Sequence, residues 1–140
     1  MAVVLGSKPV KDLKEYNDYA IGIVLPLQIG DTAFNQSFKT FDQVRTNIKS
    51  LLLTKRRERV MQPLLGSGLH ELVFDFNDDE LANNIEEIIV SSLQQWLPYV
   101  SIENIDIEQN NELKDTNRVN ISLTFRIGDS VDLNEVTFTV

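Results

Sequence analysis

The side chains in this sequence with the chemistry for acid–base work are Glu58, His70 and Glu71. His70 and Glu71 are adjacent in an apolar stretch, and such a pair can pass a proton. No nucleophile or third orienting group can be assigned beside them, so His70 reads as a structural or surface histidine. A cell-wall hydrolase would need two carboxylates flanking a sugar cleft. Most acids here fall at helix starts, in loops or on solvent faces, and only Glu58 and Glu71 border the apolar section. Aromatic residues to line a cleft are few, and the single tryptophan, Trp96, falls on a core-facing stripe. A hydrolase using Glu58 or Glu71 as acid is therefore the rival reading, and a non-enzymatic protein the leading one.

Other chemistries are excluded by what the chain lacks. It has no cysteine and one histidine, which removes disulfides, thiolate metal sites, thiol nucleophiles and multi-histidine sites. No metal, cofactor or small-molecule substrate is expected. Gly66-Ser67-Gly68 is too short for a phosphate loop and lacks its lysine. A net charge of −8 disfavours nonspecific nucleic-acid binding, which depends on neutralising phosphates. The densest basic run, Lys55-Arg56-Arg57-Glu58-Arg59, is either a solvated helix end or a contact with an acidic partner. No apolar run approaches the roughly 18 residues of a membrane span. The opening MAVVLGSKPVKDLKEY places its charges after a short apolar stretch, the reverse of a secretory leader.

With 140 residues, 42% of them apolar and 24% charged, the chain has the make-up of one ordinary globular domain. Residues 1–33 read as an N-terminal arm and 34–140 as the domain. Within the arm, Ile21–Gly30 is a short apolar segment that Pro26 restricts to an edge strand or an extended docking segment. Gly30-Asp31 marks a turn, and Phe34 and Phe38 anchor the stretch after it. A first helix begins at Thr40, where Thr40-x-x-Gln43 is a capping-box pattern and Asp42 suits the helix dipole. Phe41, Val44, Ile48, Leu51 and Leu52 give it a helical stripe. Its end is expected in the basic run, where cations would face the last carbonyls. A loop with Pro63, Gly66 and Gly68 leads to a short helix over about 69–74.

The second long helix is capped by Asn77, Asp78 or Asp79. It buries Leu81, Ile85, Ile88, Ile89, Leu93 and Trp96, with Glu86, Glu87, Gln94 and Gln95 in water. Pro98 stops it. The period then changes to two. Val100 and Ile102 alternate, and Ile105 and Ile107 resume in shifted phase, which predicts a bulge. After a polar loop over 108–117, Val119, Ile121, Leu123, Phe125 and Ile127 define a half-buried strand. Gly128-Asp129 turns the chain, and Val136, Phe138 and Val140 alternate to the end. The fold class is α+β, two main helices on a small, mainly antiparallel sheet with an extended N-terminal arm. The last strand either lies inside the sheet or offers an edge for strand addition.

Residues 51–72, LLLTKRRERVMQPLLGSGLHEL, resemble the signature of the gene product twenty-five/W-protein family. That family comprises baseplate wedge proteins of contractile phage tails and the related type VI secretion subunit. Its pattern is a helix ending in Leu-Leu-x-Thr, a glycine-rich turn, an Arg-Val-Met-like triplet and an aromatic-Gly step. Thr54, Glu58, Arg59, Val60, Met61 and Gly66 fit, whereas Arg57 replaces the usual glycine and Leu65 the usual aromatic. The resemblance resumes where the family tends to read Trp-Glu-Pro-Arg-Val before a β-hairpin. Here the residues are Trp96-Leu97-Pro98-Tyr99-Val100, with Leu97 and Tyr99 in place of the charged pair. The likeness covers about residues 34–140.

The resemblance implies a structural subunit of the virion's tail baseplate, assembled in the host cytoplasm, without enzymatic activity. Trp96, Leu97, Pro98 and Tyr99 would meet the wedge core, through an apolar, tyrosine-based contact where the family has charges. Thr54, Glu58, Arg59, Met61 and Gly66 would form the turn motif, with Arg59 holding the turn together. The C-terminal strand, Leu133 with Val136, Thr137, Phe138, Thr139 and Val140, would pair with sheath strands and template sheath assembly. Expected partners are other wedge proteins, the tail sheath protein and tube or hub proteins, with no nucleic acid and no membrane. A peptidoglycan hydrolase and a type VI secretion baseplate subunit are the alternatives.

Overall fold

In the computed structural model, residues 18–25, 27, 35–72, 80–108 and 118–140 are described. In chain order they form β1 (Gly22–Ile23), β2 (Gln36–Ser37), α1 (Thr40–Leu53), α2 (Leu69–Leu72), α3 (Glu80–Trp96), β3 (Val100–Glu108), β4 (Asn120–Ile127) and β5 (Asn134–Thr139). The class is α+β, as the change of period implies. Pro26, the turn at Gly30-Asp31, Phe34, Phe74, the Asn77–Asp79 cap and the loop over 109–117 lie outside the described residues. The chain divides into two compact units, Met1–Val44 and Arg45–Val140.

In the first unit, β1 and β2 make a two-stranded antiparallel ladder, Gly22 opposite Ser37 and Ile23 opposite Gln36. Ile21 N–H donates to Ser37 O at 2.8 Å and Val24 N–H to Asn35 O at 2.9 Å. Part of the expected arm is therefore a paired strand. Two residues per strand are too few to leave a period in the sequence.

The second unit is organised by α3. Leu81, Ile85, Ile89 and Leu93 recur every four residues and are all buried, while Glu86, Glu87, Gln94 and Gln95 are exposed. Each such burial contributes about 1.5–3 kcal/mol. Leu97 N–H still donates to Leu93 O, but Pro98 has no N–H to continue the ladder, and α3 ends. The helix packs on α2 and on β3.

The other main sheet has the order β3-β4-β5, antiparallel throughout, with β4 in the centre. Ile121, Leu123 and Phe125 of β4 and Val136 and Phe138 of β5 face the core. The bulge occurs where the phase shift predicts it, between Ile102 and Asn104. By absorbing Glu103 it sets Ile102 opposite Phe125 and Ile105 opposite Leu123, so both remain on the inner face.

One expectation is corrected. Helix α1 ends at Leu53 and has no basic residue in its last turn. The carbonyls there are met by neutral groups from a segment that folds back on them. Thr54 Oγ1 donates to Ser50 O, Ser67 Oγ to Leu52 O, and Ser67 N–H to Thr54 O. A cation on a flexible chain cannot compete with hydroxyls already delivered by the fold.

The return path requires Gly66, whose φ is +126° and where a Cβ would lie 2.5 Å from Thr54 O. Gly128, also at positive φ (+54°), has open space around it. Gly128→Ala should therefore cost only the left-handed penalty, about 1–2 kcal/mol. Gly66→Ala should cost about 3 kcal/mol or more, because strain and a backbone clash combine. Urea denaturation of both variants checks this ordering.

Candidate functional site

Between α1 and α2 the chain makes a tightly tied loop. Lys55 N–H donates to Glu58 Oε2 at 2.9 Å, and Glu58 N–H donates back to Lys55 O at 3.2 Å. Arg57 N–H reaches Pro63 O at 2.9 Å, Gln62 N–H reaches Arg59 O, and Leu65 N–H reaches Gln62 O. Arg59 Nη2 donates to Ser50 Oγ at 3.3 Å, tying the loop to the last turn of α1. A parallel bridge between Lys55 and Ser67 closes the base. Thr54, Glu58, Arg59 and Gly66 thus meet in one structure, whereas Met61 points away from it and is almost wholly exposed.

This geometry engages two of the three acid–base candidates, Glu58 and His70, whereas Glu71 is exposed on α2. The Glu58 carboxylate is engaged by a backbone N–H of its own turn. His70 Nε2 lies 3.1 Å from Leu53 O. A carbonyl only accepts, so Nε2 carries the proton and the ring caps α1. Ser67 Oγ, besides donating to Leu52 O, lies 3.4 Å from Leu69 N at the start of α2. Among the described residues no group of three His, Asp or Glu side chains could hold a metal ion, and no helix is long and apolar enough to cross a membrane.

The second feature is the corner between α3 and β3. Val100 N–H donates to Leu97 O at 2.9 Å, closing a turn with Pro98 and Tyr99 at its centre. Proline suits the first central position because its φ is already set. Trp96 and Leu97 are half-buried, whereas Pro98 is exposed and Tyr99 is 42% exposed. Tyr99 O accepts from Gly128 N–H at 2.9 Å, joining this corner to the β4–β5 connection, where Val131 and Leu133 are exposed.

The third feature is the outer edge of β5. Val119 and Val140 exchange both backbone hydrogen bonds. In an antiparallel ladder such pairs alternate. The register therefore turns the N–H and C=O groups of Phe138, Val136 and Asn134 toward β4, and those of Thr139, Thr137 and Glu135 outward. Arg45 Nε of α1 donates to Glu135 O at 3.1 Å and so covers one outward carbonyl. No described strand pairs with the rest of that edge. Thr137 Oγ1 and Ser122 Oγ, and Thr139 Oγ1 and Asn120 Oδ1, bond across the exposed face.

Sequence reasoning missed Ser67 as the double cap, Arg45 on the β5 edge and the exposure of Val60 beside Met61. The apolar pair Val60-Met61 falls in no periodic stripe, which was the available signal. Nothing local marks Arg45, whose acceptor lies 90 residues away.

A tied loop, an exposed apolar corner and a strand edge that no described strand pairs with are carried on a small α+β scaffold. The chain belongs to the family described as baseplate wedge protein gp25, whose profile matches residues 40–130. It is accordingly a structural component of a tail baseplate. The match is narrower than the 34–140 span of the resemblance and stops before β5. Among solved structures, a candidate tail lysozyme from Geobacter sulfurreducens is similar, with TM-score 0.64 and 22% identity over 73% of this chain and 90% of that one. The baseplate of the anti-feeding prophage contains another similar chain, with TM-score 0.56 and 19% identity over 84% of this chain and 81% of that one. These two likenesses show the fold. No curated protein sequence matches.

The departure at Arg57 has a visible consequence. Its φ of +67° makes it the one non-glycine residue at positive φ among the described residues. This is the position where the resemblance places glycine. Arg57→Gly should raise stability by about 1 kcal/mol through relief of left-handed strain, as an increase in the urea midpoint at constant slope.

Proposed function

We propose that the protein is a non-catalytic wedge subunit that docks on the wedge core through Trp96, Leu97, Pro98 and Tyr99 and templates the sheath through β5. The observation carrying this reading is the outward row of backbone groups at Thr137 and Thr139, which only an added strand can pair in register. That edge lies beyond the span of the family match, so its role rests on its own geometry. Leu133 leads into the strand, and Val136, Phe138 and Val140 hold it on β4 while Thr137 and Thr139 receive the sheath. The Arg45 bond at Glu135 O limits the added strand to the C-terminal half of β5.

The corner supplies the docking contact. An exposed tyrosine beside a proline-fixed turn presents apolar area at low entropic cost, and aromatic anchors dominate such interfaces. Thr54, Glu58, Arg59 and Gly66 keep the neighbouring loop in shape. Partners are the other wedge proteins and the sheath protein, with tube or hub proteins nearby, in the tail baseplate of a virion assembled in the host cytoplasm. The segment 1–33, which precedes the matched span, serves as an arm on the 34–140 domain.

Thr137→Pro tests the strand edge, because it deletes an N–H that β4 does not use. The variant should remain folded yet fail to start sheath polymerisation on the wedge complex, while Thr137→Val, which keeps the N–H, should support it. Sheath growth from the proline variant equal to that from the parent would defeat the template reading. Tyr99→Ala should weaken binding to the wedge complex at least tenfold, about 1.4 kcal/mol, by titration calorimetry. Unchanged affinity would move the docking site away from the corner.

A further inference from the structure

The loop between α1 and α2 displays apolar side chains that its own hydrogen bonds prevent from turning inward. Val60 is 92% exposed, Met61 91% and Leu64 75%. They sit on backbone held by the Arg57–Pro63, Gln62–Arg59 and Leu65–Gln62 bonds and by the Arg59–Ser50 contact. Isolated exposed apolar residues are ordinary, but three within five positions on a tied loop form a preformed contact surface.

Beside them lies an open recess of about 570 Å³, lined by Arg56, Arg57, Pro63, Leu64, Gly66 and Gln95. Both arginines are exposed, and among the described residues neither has an acidic partner. Glu58, the one acid in the run, is engaged by Lys55 N–H. Lys55, Arg56 and Arg57 are therefore exposed cations on a chain of net charge −8, while Arg59 reaches back to Ser50. Guanidinium groups match the planar fork of a carboxylate. The overall negative charge opposes approach to an anionic membrane or nucleic acid.

We propose that this loop is a second docking element, which receives an acidic, apolar segment of another baseplate protein. Apolar side chains of that segment cover Val60, Met61 and Leu64, and one of its carboxylates enters the recess between Arg56 and Arg57. The contact uses residues other than those of the Trp96–Tyr99 corner and of the β5 edge.

The test places a photo-crosslinking residue at Met61 in one preparation of assembled baseplates and at Tyr99 in another, with peptide mapping of the products. The position-61 probe should capture one partner polypeptide at a segment with Asp or Glu beside apolar residues. Arg56→Glu, at an exposed site whose side chain makes no hydrogen bond or ion pair among the described residues, should cut that yield at least tenfold at unchanged melting temperature. A lysine replacing the captured acid should restore it. Capture of lipid, of a second copy of this chain or of a segment without acids would overturn the proposal, as would no capture at all. Capture from position 99 alone would sink this inference and leave the corner reading intact, whereas capture from neither would sink both.

Discussion

The end of α1 is the constraint on which the second unit depends. A helix leaves its last carbonyls without partners, and burying them bare costs about 1–3 kcal/mol each. Here the carbonyls of Ser50, Leu52, Leu53 and Thr54 are met by Thr54 Oγ1, Ser67 Oγ, His70 Nε2 and Ser67 N–H. Three of these donors, the two of Ser67 and the one of His70, return from across a loop, so satisfying the helix end also sets where α2 begins. Gly68 then lies against Ile88 of α3, with space for little more than a methyl group. Capping, loop and helix packing are one arrangement.

That arrangement explains the loop's unusual character. Its inward side is consumed by backbone bonding, which leaves Arg56, Arg57, Val60, Met61 and Leu64 nowhere to point but outward. A loop of this length held only by flexible side chains would collapse its apolar residues onto the nearest surface. Rigidity is what keeps them displayed, and it includes a left-handed residue, Arg57, where glycine would be less strained.

The sheet solves a different problem. Its bulge at Glu103 keeps one face apolar across an otherwise out-of-phase strand, and Arg126 pairs with Glu103 on the other face. Its β5 edge is partly covered, since Arg45 occupies the carbonyl of Glu135. Edge strands invite unwanted pairing, and a cation reaching over part of the edge is a way to limit it without closing the rest. The same geometry leaves Thr137 and Thr139 able to pair with a strand from outside. Two of the acid–base candidates find partners in this framework too, Glu58 in the turn and His70 at the helix end.

Much of the fold was legible in the sequence, because periodicity reports burial residue by residue. The start of α1 at Thr40, the stop of α3 and four of its six expected buried positions (Ile88 and Trp96 are only half-buried), the bulge after Ile102, the strand over 120–127 and the turn at Gly128 all follow from local spacing and turn chemistry. The family signature was legible for the same reason, as it lies in contiguous residues. Tertiary structure decided where α1 ends, since Ser67 stands 15 residues from the carbonyl it caps. It decided which strand edge no described strand pairs with, which of its carbonyls Arg45 covers, and that Val60 and Met61 face water. Those outcomes depend on hydrogen-bond partners brought together from distant positions, and a hydrogen bond across sequence distance leaves no period in the chain.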